Sequence, residues 1–249
     1  MMMERKKVLD VYVNDISVED AVNQIVEWSR EDGCHQIVTA DAYMANLANV
    51  DPDFRSLMNS ADLVTPDSSG IILASRLSGD PISRKASGCV IAEQLCRVSG
   101  RQGLRIFFFG ASEKANAGAV ENMLSKYPDL QVAGRRNGYF DPAESPAIAR
   151  EIRESGANVL LVALGIPKQE YWIREYLPDT GAKAAIGIGG TFDVMSGNVK
   201  RAPVFLQNLY LEWLYRFFQA PKKSYKLGCL PGFFLKVLLN RNSHKDNHE

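Results

Sequence analysis

The residues of this chain best suited to chemistry are carboxylates and glycines at the ends of apolar runs. Asp67 stands behind Pro66 and ahead of Ser68-Ser69-Gly70 and the apolar helical stretch Ile71–Leu77. A carboxylate at a strand end, facing a cleft, can take a proton from a hydroxyl nucleophile. An aspartate in Pro-Asp-Ser-Ser can equally cap the next helix. Asp51-Pro52-Asp53 has the D-x-D form of some metal sites, but Asp51 suits an N-cap and Pro52 the first helical position. Capping is the preferred reading there, and no metal or other cofactor is expected. His244 and His248 lie in a polar tail, and His35 has no obvious partner in sequence. With no G-x-S-x-G turn either, a Ser-His-Asp hydrolase is not expected.

The glycines suggest phosphate. Gly187-Ile188-Gly189-Gly190 follows an apolar run, and a helix start there would offer N–H groups to an anion. The spacing is not G-x-G-x-x-G, so no dinucleotide fingerprint is present. A plain tight turn is the alternative. Gly110-Ala111-Ser112 and Gly165-Ile166-Pro167-Lys168 close two other apolar runs. Lys168 or Gln169 could lie over a phosphate or sugar, or simply begin a helix together with Glu170. Asp193, after Phe192, admits the same two readings.

To bring these turns together the chain needs parallel strands. Lys7–Val13, Gln36–Thr39, Asp62–Val64, Leu104–Phe109, Asn158–Ala163 and Lys183–Ile188 read as strands. Continuous apolar runs such as Ile106–Phe109 and Val159–Val162 suit strands covered on both faces. Amphipathic stretches alternate with them, among them Ser17–Arg30, Glu113–Lys126 and Pro146–Glu154; Ser17 and Asp20 have capping-box spacing. The pattern predicts an α/β, Rossmann-like sandwich with a mainly parallel sheet flanked by helices. Ligands then sit beyond the carboxyl ends of the strands, where the polar turns cluster. Residues 1–199 form this catalytic domain, and 200–249 a small helical appendage.

The chain has 249 residues and a net charge of zero. That neutrality hides an asymmetry: Lys200 to Lys245 contains nine Lys and Arg against the single acid Glu212. A basic tail predicts an anionic partner. Phe233, Phe234, Val237 and Leu238 fall at helical spacing beside Lys236 and Arg241, describing an interfacial amphipathic segment. Nucleic acid is not expected, for no recognisable module interleaves aromatics with the basic residues. No signal peptide or stretch of ~20 apolar residues is present, so the expected location is cytoplasmic, peripheral on the inner face of the membrane. Cys34, Cys89, Cys96 and Cys229 are scattered, without zinc or redox spacing.

From Val8 to Pro221 the chain resembles the WecG/TagA/CpsF glycosyltransferases of bacterial surface polysaccharide synthesis. The resemblance is carried by Pro66-Asp67-x-x-Gly70, Gly138-Tyr139-Phe140, Gly165–Glu170, Gly187–Asp193, Val199–Pro203 and Leu211–Arg216, in order and at matching intervals. It implies metal-independent, inverting transfer from a UDP-sugar, typically of N-acetylmannosamine type, to a saccharide on polyprenyl diphosphate. By that resemblance Asp67 is the general base, and Thr39 and Gln169 line the sugar pocket. The nucleotide is expected at Gly138-Tyr139, Gly189-Gly190 and Asp193, with Arg216 meeting a diphosphate. The chain departs from the pattern at Asp41, where the family has Asn, and at Lys85 and Val90, where it has Arg and Asp. Lys223 and Lys226 replace two tail arginines, keeping charge and losing the bidentate fork. Asp41 exchanges an amide for an acceptor-only anion, which favours a neutral hexose over a uronic acid. A homo-oligomer is expected. A non-catalytic nucleotide- and membrane-binding member and an NAD-binding oxidoreductase are the competing functions.

Overall fold

The structure, a computed structural model, describes residues 4–199, 228 and 230–245. The site positions Arg216, Lys223 and Lys226 lie outside them.

Eight strands are described. β1 (Arg5–Val8) and β2 (Val11–Asn14) form an antiparallel hairpin. The six others are β3 (His35–Ala40), β4 (Leu63–Pro66), β5 (Arg105–Gly110), β6 (Gln131–Arg136), β7 (Val159–Ala163) and β8 (Ala184–Gly187). They make one parallel sheet in the order β4-β3-β8-β7-β5-β6. The expected sandwich is therefore present, with one correction at its start. Lys7–Val13 is not a single strand: the chain reverses at Leu9-Asp10, where Leu9 takes a φ of 54°, and the hairpin stays out of the main sheet. It packs on the edge strand β4, and Asn14 Oδ1 accepts from Val64 N at 2.9 Å. This occupies one backbone donor at a sheet edge that would otherwise invite pairing.

The apolar runs divide between two faces, as the alternation of a strand requires. Ile106, Phe108, Val159 and Leu161 pack with α1 (Val18–Trp28), α5 (Gly88–Gln102), α6 (Glu113–Lys126) and α9 (Thr191–Met195). Phe107, Phe109, Leu160 and Val162 face α7 (Ser145–Glu154) and α8 (Lys168–Thr180). On that second face, beneath β3 and β4, lie α2 (Ala42–Val50), α3 (Pro52–Ser60) and α4 (Ser69–Ser78). Each large side chain so buried contributes roughly 1.5–3 kcal/mol.

Capping explains where several helices begin. Asp51 Oδ1 accepts from Asp53 N and Phe54 N, both at 3.0 Å, so the D-x-D segment opens α3. Ser17 caps α1 through Asp20 N, but the Asp20 carboxylate returns to the Ser17 hydroxyl and to Arg84 rather than closing a capping box. His35, at the sheet pole away from the site, does have partners: it stacks on Trp28 at 4.3 Å and contacts Asp62 at 3.2 Å.

The last described helix, α10 (Leu230–Lys245), lies on α4 and α2. Phe233 and Val237 are wholly buried in the cluster beneath them, and Lys236 Nζ donates to Asn46 Oδ1 at 3.2 Å. This corrects the expected amphipathic face: three of its four apolar residues, Phe233, Phe234 and Val237, pack on the body of the protein, while Leu235, Leu238 and Leu239 are exposed. No helix among the described residues is long and apolar enough to cross a membrane.

Candidate active site

Asp67 emerges directly from β4. Its N–H donates to Ala40 O of β3 at 3.0 Å, and the Pro66 carbonyl accepts from Ala86 N at 3.0 Å. The capping question is answered one residue later. Ser68 caps α4, its Oγ accepting from Ile71 N and from Ala42 N, both at 3.3 Å. The Asp67 carboxylate points elsewhere: Oδ1 accepts from Gly88 N, in the first turn of α5, at 2.7 Å. Ser87, the N-cap of α5, makes no side-chain cap, so Asp67 meets a helix-terminal donor from outside that helix.

Thr39, on the adjacent strand, is locked into the same corner. Its hydroxyl donates to Gly187 O of β8 at 2.7 Å, and its methyl group lies against Gly88. A Cβ at residue 88 would sit 2.7 Å from Thr39 Cγ2, so only glycine allows α5 to start this close to β3. Thr39, Asp67 and Gly88 share a narrow crevice with Gly190 and Thr191, which begin α9. It lies beyond the carboxyl ends of β3, β4 and β8, as the topology leads one to expect.

A second group of turns continues along the sheet. Gly110 ends β5 against the backbone of Ala163. The following Ala111 donates to Ala163 O and accepts from Gly138 N, both at 2.8 Å. Buried Asn116 gathers the same strand ends, its Nδ2 lying 3.0–3.1 Å from the carbonyls of Phe108, Gly110 and Arg136. The turn so held carries Tyr139, which is 81% exposed. Next to it Lys168 Nζ lies 4.4 Å from the centre of the Phe140 ring, an arrangement that fixes a cation at the rim. Gln169 is only 1% exposed, and its Oε1 accepts from both Gly165 N and Gly189 N. In this structure it shapes the crevice from below.

The remaining positions flank this line of turns. Asp41 is the N-cap of α2, accepting from Met44 N at 2.8 Å. Asp193 lies in the first turn of α9, its carbonyl accepting from Val199 N at 2.9 Å. Lys85 rides on the segment between α4 and α5. Asp15 fastens that segment by accepting from Ser83 N at 3.1 Å and Arg84 N at 3.2 Å, and Arg84 pairs with Asp20.

Sequence reasoning passes over Ser87, Gly88, Cys89 and Thr191, which line the crevice, and over Asn116. Ser87-Gly88 ahead of an apolar periodic stretch is a helix-start signal that could have found the first two. Cys89 and Cys96 differ in setting: burial pushes the Cys96 thiol up to about 12, which leaves it no role as a thiolate nucleophile. At the other end of the site the Glu113 carboxyl is held below the usual carboxylate range by hydrogen bonds from Arg135 and then Asn137. Glu113 thus tethers the segment leading into Gly138-Tyr139.

A parallel sheet covered on both faces by helices, with a carboxylate and glycine turns beyond its strand ends, defines a Rossmann-like α/β protein. The chain belongs to the glycosyl transferase WecG/TagA/CpsF family, whose model matches residues 6–247. It is similar to N-acetylglucosaminyldiphosphoundecaprenol N-acetyl-beta-D-mannosaminyltransferases of several bacteria. The Bacillus spizizenii protein is 32% identical over 85% of this chain and 82% of its own length. The Bacillus subtilis protein is also 32% identical, over 84% and 81%. That of Staphylococcus aureus strain MRSA252 is 27% identical over 81% and 78%.

Proposed function

We propose that this glycosyltransferase moves a hexose, of N-acetylmannosamine type, from a UDP-sugar to a saccharide carried on polyprenyl diphosphate. The observation that carries the reading is the direction of Asp67: relieved of capping by Ser68, it faces the crevice from the Gly88 N–H. The names of the relatives supply the acceptor and sugar class. Asp67 removes the proton of the acceptor hydroxyl while that oxygen attacks the anomeric carbon. The bond from that carbon to the UDP oxygen breaks on the opposite side, so the configuration inverts. Arg216, Lys223 and Lys226 of the basic tail stabilise the leaving diphosphate against the glycine turns. Those cations take the part a metal plays elsewhere, and Tyr139 and Asp193 hold the nucleoside.

Residues 200–249 act as an appendage that brings the site to an anionic leaflet on the cytoplasmic side. On α10 the side turned outward, Leu235, Leu238 and Leu239, meets the interface. Incubating the full chain with a panel of UDP-sugars and a lipid-diphosphate saccharide tests the whole reading. Transfer from one UDP-sugar without added metal is expected; failure of every donor with every such acceptor would refute it.

A further inference from the structure

The glycine turns that follow β7 and β8 are joined beneath the surface. Gly165 and Gly189 have φ values of +83° and +52°, and a Cβ on either would meet nothing within 4 Å. Glycine is required there by backbone conformation, not by lack of space. The N–H groups of both turns donate to one atom, Gln169 Oε1, at 3.2 Å and 3.1 Å. A side-chain amide turned over about its last bond exchanges an acceptor for two donors. Turned over here, Gln169 would set its NH2 against two backbone N–H groups and push the turns apart.

What fixes the amide is its other end. Gln169 Nε2 donates to Glu170 Oε1 at 2.7 Å, and Glu170 is wholly buried. Gly187 roofs the pair: a Cβ there would lie 2.7 Å from Gln169 Nε2 and 3.0 Å from Glu170 Oε1. From β3, Gln36 Nε2 donates to the main-chain carbonyl of Glu170 at 2.9 Å. Residues 36, 169, 170 and 187 thus form one buried polar unit under both turns.

We propose that Glu170 is a positioning residue of the donor site. By accepting from Gln169 Nε2 it sets the amide oxygen toward Gly165 and Gly189 and holds the two turns at one separation. The proposal rests on the reading of this crevice as a UDP-sugar site. It is tested in the full chain by following hydrogen exchange at the Gly165 and Gly189 amides and by titrating UDP calorimetrically. The variants are Glu170→Leu, which offers no acceptor, and Glu170→Gln, which keeps one. The leucine variant should exchange about tenfold faster at both glycines and bind UDP about tenfold more weakly, the size of one lost hydrogen bond. The glutamine variant should restore both, while exchange at core amides of β5 stays native in each. Should the leucine variant fail to fold, Glu170→Asp withdraws the oxygen by one methylene and should shift both readouts the same way. Native exchange at both glycines in the leucine or aspartate variant would overturn the proposal. Equal loss of UDP affinity in the glutamine and leucine variants would do the same. Failure of the native chain to bind UDP would overturn the donor reading alone, because the exchange rates test the tie without it.

Discussion

The carboxyl ends of the strands carry two regions built on different principles. At β3, β4 and α5 the groups proposed to work are side chains, Asp67 and Thr39, each aimed by a short hydrogen bond. Along β5, β7 and β8 the strand ends are glycine turns, spaced from beneath by the buried amides of Asn116 and Gln169. Proton transfer needs one titratable group at one place, whereas binding of a diphosphate depends on how the turns and cations around it are spaced. Damage to the first region should therefore remove rate, and damage to the second should remove affinity.

The largest expected effect comes from the first region. Asp67→Asn keeps the volume and an oxygen for Gly88 N but removes the proposed base, and turnover should fall by roughly 10²–10⁴-fold. A steady-state transfer assay checks this, and full turnover in the variant would end the assignment. Next in size is Gly88→Ala, whose methyl group would sit 2.7 Å from Thr39 Cγ2. Overpacking of that kind destabilises by about 1–3 kcal/mol. Denaturant unfolding should show it, together with reduced turnover, because α5 carries the donor that aims Asp67. Unchanged stability would mean that the corner is looser than described.

The smallest effect belongs to the binding region and depends on pH. Hydrogen bonds from Arg135 and Asn137 hold the Glu113 carboxyl below its ordinary value of 4.5. A folded-state value depressed in this way adds stability that is complete above the unfolded value and lost as pH falls through the folded one. The Asn137–Tyr139 segment should then loosen only below about pH 4.5, and by little, since Glu113 is exposed and screened. Hydrogen exchange at Gly138 and Tyr139 across pH 3–6 would register it, and Glu113→Gln should abolish the dependence.

Much of this division is legible in the sequence, for physical reasons that differ by element. Runs such as Ile106–Phe109 are apolar on both faces, so they declare buried parallel strands without help from context. The Gly and Pro punctuation after them places the turns. β6 is less visible, because Gln131–Arg136 is an edge strand with polar ends and half-exposed positions. The β1–β2 hairpin is hidden because Leu9-Asp10 lacks the Asn-Gly or Gly-Gly signal of a tight reversal. In the candidate site, Asp67 stands out from its neighbours, but which residue caps α4 cannot be read from them, since Ser68 and Asp67 are both good caps. Gln169 shows the limit most plainly. Its place after Gly165-Ile166-Pro167 marks it as a candidate site residue, yet its contact with Gly189 spans 20 residues and exists only once β7 and β8 pair. For α10 the helical period is readable, but which side of the helix packs on α4 is set by tertiary contact.

The separation of rate from affinity is the claim on which the rest depends, and UDP binding by the Asp67→Asn variant probes it most directly. Calorimetric titration of UDP into the native chain and the variant, side by side, should give affinities within about twofold, because the donor region is untouched and the exchanged group meets the acceptor hydroxyl. A tenfold or greater loss of UDP affinity in the variant would contradict the account. It would mean that Asp67 serves the donor itself, and that the two regions are one.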